Sequence, residues 1–306
     1  MNKRFEAAFK LFADYNGNEY KKLNGTHKKF SLLVLNYRYR KSTITLIGTW
    51  HIEKTNVAKQ EIIKGIKSQV LNYFMKTPRN KRIIMVEGFS GLSPLCRDTL
   101  ERSFDMGEPS GVTFLAKEKG AEVISPEPTM ENQIKDLYAL GFTKYQIMLH
   151  YVVRQLSWEV ETQAVNANEI MNMQRLAVQL GDGKAKKFGE DYIFNTIIPK
   201  LNAEMSKLKG KPLFRRRGNL IFSNYDSDEL DPLTDPALPT IHPEKAILTN
   251  EIAFYVSDIR NENIIHEIDK AIKSGKSPLA VYGRSHVARI KPALDYLYGK
   301  PIRVMV

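Results

Sequence analysis

The chain has 306 residues, 42% of them hydrophobic and 26% charged, with a net charge of +12 and a single cysteine, Cys96. That length supports one large or two modest folded cores, and the composition is that of an ordinary globular protein rather than a disordered one. One cysteine excludes an intramolecular disulfide, a Cys-rich zinc site and a dithiol redox pair.

The first residues, MNKRFEAAFKLFADYNGN, are charged and interrupted by Asp14 and Gly17, so no signal-peptide core is expected there. No apolar run approaches membrane-spanning length, and the expectation is a soluble, cytoplasmic chain without membrane contact. The basic residues are dispersed: Lys21-Lys22, Lys28-Lys29, Arg38-Tyr39-Arg40-Lys41, Lys184-Lys186-Lys187 and Arg215-Arg216-Arg217. A nucleic-acid-binding motif would gather them on one face, so a solvated basic surface is favoured over a nucleic-acid partner.

From Thr43 onward strands and helices alternate. Ile44–Ile47 reads as a strand ending at Gly48, and Thr55 can cap a helix to Met75 whose apolar positions recur with a 3.6 period. Arg82–Val86 is the next strand, broken at Glu87-Gly88. A loop rich in Gly, Pro and Ser follows, then a helix over 111–119 and a third strand at Ala121–Ile124. Residues 144–180 and 188–208 show helical spacing without strand signal, with Pro199 as a kink in the second stretch. Residues 209–243, carrying Pro232, Pro236 and Pro239, read as a long loop that is a lid, a binding arm or disordered. A helix over 244–273, a strand at Leu279–Tyr282, a helix over 287–297 and a strand over 301–306 close the chain.

Strand–helix alternation predicts an α/β fold: a mainly parallel sheet of βαβ units, helices on both faces, and a central helical insertion. The organisation expected is one α/β domain over 1–306. Its core halves are 43–128 and 244–306, its insertion 129–208 and its loop 209–243.

Two strands end in the same local pattern, Gly48-Thr-Trp-His51 and Gly283-Arg-Ser-His286. Glu87 follows another strand, and Glu127, in ISPEP, follows a fourth. In an open parallel sheet the carboxyl ends of the strands converge on the ligand site. Two imidazoles with one or two carboxylates suit a divalent transition metal with an open position for water. Such an ion activates water for hydrolysis, and a remaining carboxylate can act as general base. Taken singly, each of these residues also has a structural reading as a helix cap or an exposed turn residue. Ser285 lacks the glycine two positions on that a nucleophile elbow requires. Cys96 has no nucleophile signature, His27, His150 and His242 show no partner pattern, and His266 reads as a surface residue.

The stretch from Val256 to Leu294, with its Arg260-Asn261 pair followed by a strand and Gly283-x-x-His286, resembles the closing segment of the TraB/Tiki superfamily. LIGTWH (Leu46 to His51) resembles the family's opening Gly-x-x-His, and Glu87 in IIMVEG matches its strand-ending glutamate. The resemblance covers about 43–128 and 245–306 and extends to a wider group with erythromycin-esterase-like and ChaN-like proteins. It implies metal-dependent hydrolysis of an amide, peptide or ester bond. His51, Glu87 and His286 would be metal ligands (Mn, Co, Zn or Fe) or catalytic residues. Arg260 would hold a substrate carboxylate or oxyanion, or orient Glu87 or Glu127. Relatives often read Glu-Leu-Asp where this chain reads Glu87-Gly88-Phe89. The ChaN-like branch implies a second reading, a haem- or metal-binding protein without enzymatic activity.

Overall fold

The computed structural model describes residues 3–24, 32–49, 56–88, 97–159, 167–217, 220–225 and 227–305. The strands among them are, in chain order, β1 Leu33–Tyr39, β2 Ser42–Thr49, β3 Arg82–Val86, β4 Glu122–Ile124, β5 Phe214–Arg217, β6 Leu220–Ser223, β7 Ser277–Gly283 and β8 Arg303–Met305. The chain divides into two compact units, residues 1–129 with 259–306 (unit 1) and residues 130–258 (unit 2). The basic excess is unevenly shared. Unit 1 holds 31 Lys and Arg against 17 Asp and Glu, and unit 2 holds 15 against 17.

Unit 1 is α/β. Its six-stranded sheet has the order β4-β3-β7-β2-β1-β8, and β4, β3, β7 and β2 run parallel. The central strand β7 is buried along its whole length, as a strand covered on both faces must be. On one face Ile47, Ile84, Val86, Leu279 and Val281 pack against the helices Asn56–Lys76 and Glu108–Glu118, through Ile66, Val70, Val112 and Leu115 among others. On the other face lies the helix Arg284–Tyr298. It crosses β2 so closely that a Cβ placed on Gly48 would stand 3.0 Å from Arg284 Cα and 3.3 Å from Val287 Cβ.

The sheet extends beyond the strands read from the sequence. β1 forms an antiparallel hairpin with β2 and receives β8 on its far edge. Two short N-terminal helices, Lys3–Phe9 and Asn18–Asn24, pack on the Arg284–Tyr298 helix, and the second of them and the segment between them supply partners to its cations. Arg284 Nε donates to the Leu23 carbonyl at 2.5 Å, and Arg289 donates to the Ala13 carbonyl and lies over the Tyr15 ring. Lys291 is held between Glu19 and Asp295 at 2.8 and 2.7 Å. His266, expected at the surface, is instead half-buried, packed on Phe5 and edge-on to Phe9 with centroids 4.8 and 5.2 Å away.

Unit 2 is mainly helical around its own core, which runs from Ile134 to Val256. The 144–180 stretch forms two helices, Lys144–Glu159 and Ala167–Gln179, and the 188–208 stretch differs from a single kinked helix. Gly189 leaves helical geometry (φ 57°, ψ −139°), and a π-helical turn at Ile193–Ile197 precedes Ile198–Lys209. Pro199 has no N–H to continue an i→i−4 ladder, which is consistent with a widened turn just before it.

Residues 209–243 are not a bare loop. They hold the β5–β6 hairpin and short helical turns, and Phe214, Ile221, Leu230 and Leu233 are buried in the unit 2 core. Two side-chain amides do the work of backbone here. Asn202 pairs with Phe214 as a neighbouring strand would, accepting from its N–H at 2.7 Å and donating to its carbonyl at 3.0 Å. Asn250 donates to the carbonyls of Pro232 and Asp235 and accepts from the Ile247 N–H, satisfying groups that the prolines leave outside any ladder. No described helix is long and apolar enough to cross a membrane.

Candidate functional site

The carboxyl ends of β4, β3, β7 and β2 lie side by side, and three of the five sequence candidates meet there around one guanidinium. Arg260, on the helix Leu248–Lys273, donates from Nε to Glu127 Oε2 at 2.6 Å and from Nη2 to Glu127 Oε1 at 3.0 Å. Nη2 also donates to Glu87 Oε1 at 2.5 Å. The second oxygen of Glu87 accepts the Gly283 N–H at 3.0 Å, which ties the end of β3 to the end of β7. Side-chain exposures of 12% for Arg260, 19% for Glu87 and 5% for Glu127 make this a largely desolvated triad, so its contacts weigh more than those of a surface pair.

Burial alone would pull the Arg260 pKa down. The two carboxylates outweigh it and raise the pKa above that of an ordinary arginine, so the group stays charged. Of the sequence alternatives for Arg260, the structure therefore shows it orienting both glutamates. Its Nη1 has no hydrogen-bond partner among the described residues.

His286 lies three residues past Gly283, in the first turn of the Arg284–Tyr298 helix, and is buried. Its Nδ1 sits 2.8 Å from Asn261 Oδ1. With an acceptor there, Nδ1 carries the proton and Nε2 is the basic nitrogen of the neutral ring. Tyr282 packs edge-on to His286 at 6.4 Å between centroids and approaches the Val86 carbonyl at 3.5 Å. Burial first, then the charges of Glu127 and Glu87, push its phenol pKa well above normal and keep it protonated.

His51 lies outside the described residues. The last described residue before it on that strand, Thr49, pairs with Gly283, which puts the end of β2 beside the end of β7.

Sequence reasoning passed over Asn261 and Ser125. Asn261 follows Arg260 directly, about 100° further round the helix, so one residue reaches the carboxylates while the next reaches the imidazole. The signal was the Arg-Asn dipeptide itself. Asn261 Nδ2 and Ser125 Oγ are buried and have no hydrogen-bond partner among the described residues. A buried polar atom in that state is a place where a polar ligand or bound water can be held, and His150 Nε2 and Thr249 Oγ1 in unit 2 share it.

The expected metal can be tested against this donor set. All four oxygens of Glu87 and Glu127 accept hydrogen bonds from Arg260 or Gly283, and the guanidinium stands where a cation bridging the two carboxylates would stand. Among the described residues no group of three or more His, Cys, Asp or Glu is arranged to hold an ion. In this arrangement Glu87 and Glu127 are engaged by a fixed organic cation beside an oriented imidazole, and His51, the third predicted ligand, lies outside the described residues. No protein-family model, curated protein or solved structure matches the chain.

Proposed function

We propose that unit 1 is a hydrolase of amide or ester bonds, in peptides or small molecules, and that His286 is its general base. The observation that carries this reading is the Asn261–His286 contact of 2.8 Å. It fixes the tautomer whose Nε2 accepts a proton, at the strand edge where ligands of parallel sheets bind. His286 Nε2 takes a proton from water while the water oxygen attacks the carbonyl carbon. The carbonyl oxygen becomes an oxyanion, and the imidazolium returns the proton to the departing nitrogen or oxygen. Arg260 Nη1 and Asn261 Nδ2 are the hydrogen-bond donors available to the oxyanion. The two carboxylates hold Arg260 in place, so little reorganisation accompanies the charge that develops.

The test is a panel of chromogenic esters and fluorogenic peptides, assayed with the full chain in the presence of a chelator. His286→Ala should lower turnover about 10²–10⁴-fold. Asn261→Ala should lower it about 10–100-fold, chiefly in kcat, by loosening the ring rather than removing it. Turnover undiminished in His286→Ala, or none across the panel, overturns the reading. Elemental analysis separates the metal-dependent form implied by the family resemblance. Near-stoichiometric Mn, Co, Zn or Fe in wild type, lost in both His51→Ala and His286→Ala, would place an ion between the two histidines and overturn the metal-free mechanism.

A further inference from the structure

At the opposite, amino end of β2 a cavity of about 320 Å³ opens between the β1–β2 hairpin, the last two turns of the Asn56–Lys76 helix and β8. Four cations line it, Arg38, Lys41, Lys76 and Arg303, and its wall includes no Asp or Glu. The remaining lining is amide and hydroxyl except for Ile302. We propose that this cavity is a binding site for a small anion carrying two or more phosphate groups. The proposal is independent of the hydrolase reading.

Three observations favour this over a solvated basic surface. First, Arg38, Lys41, Lys76 and Arg303 make no ion pair and no side-chain hydrogen bond among the described residues. Some other cations of unit 1 are engaged: Arg82 by the carbonyls of Phe74 and Thr77, Arg284 by Leu23, Lys276 by Glu122 and Lys291 by Glu19 and Asp295. Arg38, Lys41, Lys76 and Arg303 are exposed, and what sets them apart is that they line one cavity. Like charges gathered on one cavity without an acid repel, and a bound anion relieves that repulsion. Second, the wall offers a donor beside the cations: Asn36 uses its carbonyl oxygen to accept from the Thr45 hydroxyl at 3.0 Å, which leaves its NH₂ for other partners. Third, the hairpin turn sorts its cations. Arg40 adopts a left-handed backbone (φ 55°) and lies over the Tyr39 ring, whereas Arg38 and Lys41, on either side of it, line the cavity.

Arginine forks and lysine point charges together are the usual means of holding phosphate oxygens. The volume lies at the lower end for small-ligand sites. A strand of nucleic acid would want stacking aromatics, and the one aromatic here, Tyr73, is fixed by its hydroxyl to the backbones of β3 and β7.

Calorimetric titration of the full chain with inorganic triphosphate at about 150 mM salt should give saturable one-to-one binding. The affinity should fall at least about tenfold in Arg38→Ala/Arg303→Ala. It should fall less than about twofold in the charge-matched Lys184→Ala/Lys186→Ala, whose side chains are exposed on unit 2. Lys41→Gln/Lys76→Gln, which replaces two exposed side chains, should repeat the loss if the arginine pair disturbs folding. Adenosine triphosphate binding as well as triphosphate supports recognition of phosphate alone, and tighter binding supports a nucleotide in the same site. No saturation by about 5 mM, or equal losses in the arginine pair and the unit 2 control, overturns the site. So does a single-stranded oligonucleotide that binds more tightly than triphosphate and is lost in the same variants.

Discussion

Arg260→Met isolates what the charged triad contributes to the fold. The side chain keeps its length and apolar stem but loses three hydrogen bonds, two to Glu127 and one to Glu87. Glu127, 5% exposed, loses its bidentate partner, whereas Glu87, 19% exposed, keeps the Gly283 N–H. The cost therefore falls mainly on Glu127. Removing one partner of a buried ion pair costs about 3–5 kcal/mol, because the charge left behind loses its compensating cation in a largely desolvated place. For a unit of this size each kcal/mol corresponds to about 2–4 °C, so the melting temperature of the variant should fall by roughly 6–20 °C. Adding Glu87→Gln and Glu127→Gln to Arg260→Met removes the stranded charges and should recover about half of the loss or more. Thermal melts followed by circular dichroism read both effects. A drop below about 2 °C in Arg260→Met, or no recovery in the triple variant, would refute the claim that these carboxylates are desolvated and held by Arg260.

His150 in unit 2 is fully buried, with Nδ1 at 3.1 Å from the Thr249 carbonyl. Burial first, then the charge of Arg154, lowers its pKa to about 3. Between that value and the ordinary histidine pKa of about 6.5 only the unfolded chain binds the proton, so stability is lost as pH falls through this window. Going from pH 7 to pH 5, wild type should lose about 2 kcal/mol more than His150→Leu by urea unfolding, and parallel losses would count against a neutral buried ring. Gly48→Ala should destabilise by about 1–3 kcal/mol through overpacking against Arg284, Leu33 and Val287, and an unchanged urea midpoint would refute the close crossing. Tyr73→Phe removes a hydroxyl that accepts from the Ile83 N–H at 3.0 Å and donates to the Ser277 carbonyl at 2.7 Å. It should cost about 1–3 kcal/mol by denaturant titration, with unchanged unfolding as the refuting result.

How much of this was legible in the sequence depended on whether the signal was local. The parallel strands β2, β3, β4 and β7 are short apolar runs punctuated by Gly or Glu, and helix-length stretches alternate with them, so the α/β class could be read directly. β1 was harder. Its burial rests on pairing with β2 on one side and with β8, more than 260 residues away, on the other. The hairpin and turns within 209–243 were hidden for a similar reason. Their order rests on Asn202 and Asn250, two amides outside the stretch that stand in for missing backbone partners. Proline spacing signals where a ladder is impossible, and says nothing about a side chain elsewhere that replaces it.

The candidate site was legible in part, and its clearest sequence signal has a physical cause other than chemistry. The repeated Gly-x-x-His drew attention through its glycines. Yet Gly48 is demanded by the Arg284 backbone 3.0 Å from where its Cβ would stand, whereas the Gly283 N–H that holds Glu87 is one that any residue but proline would supply. A fold that merely packed a helix across β2 would want the first glycine whether or not it catalysed anything. The weight of a catalytic reading therefore moves from the glycines to Arg260 and Asn261. These neighbours fix two carboxylates and one imidazole from a single helix. Packing does not demand that arrangement. Similarly shaped apolar side chains would often hold the same elements together at no loss of stability, so a desolvated charge triad beside an oriented histidine points to chemistry.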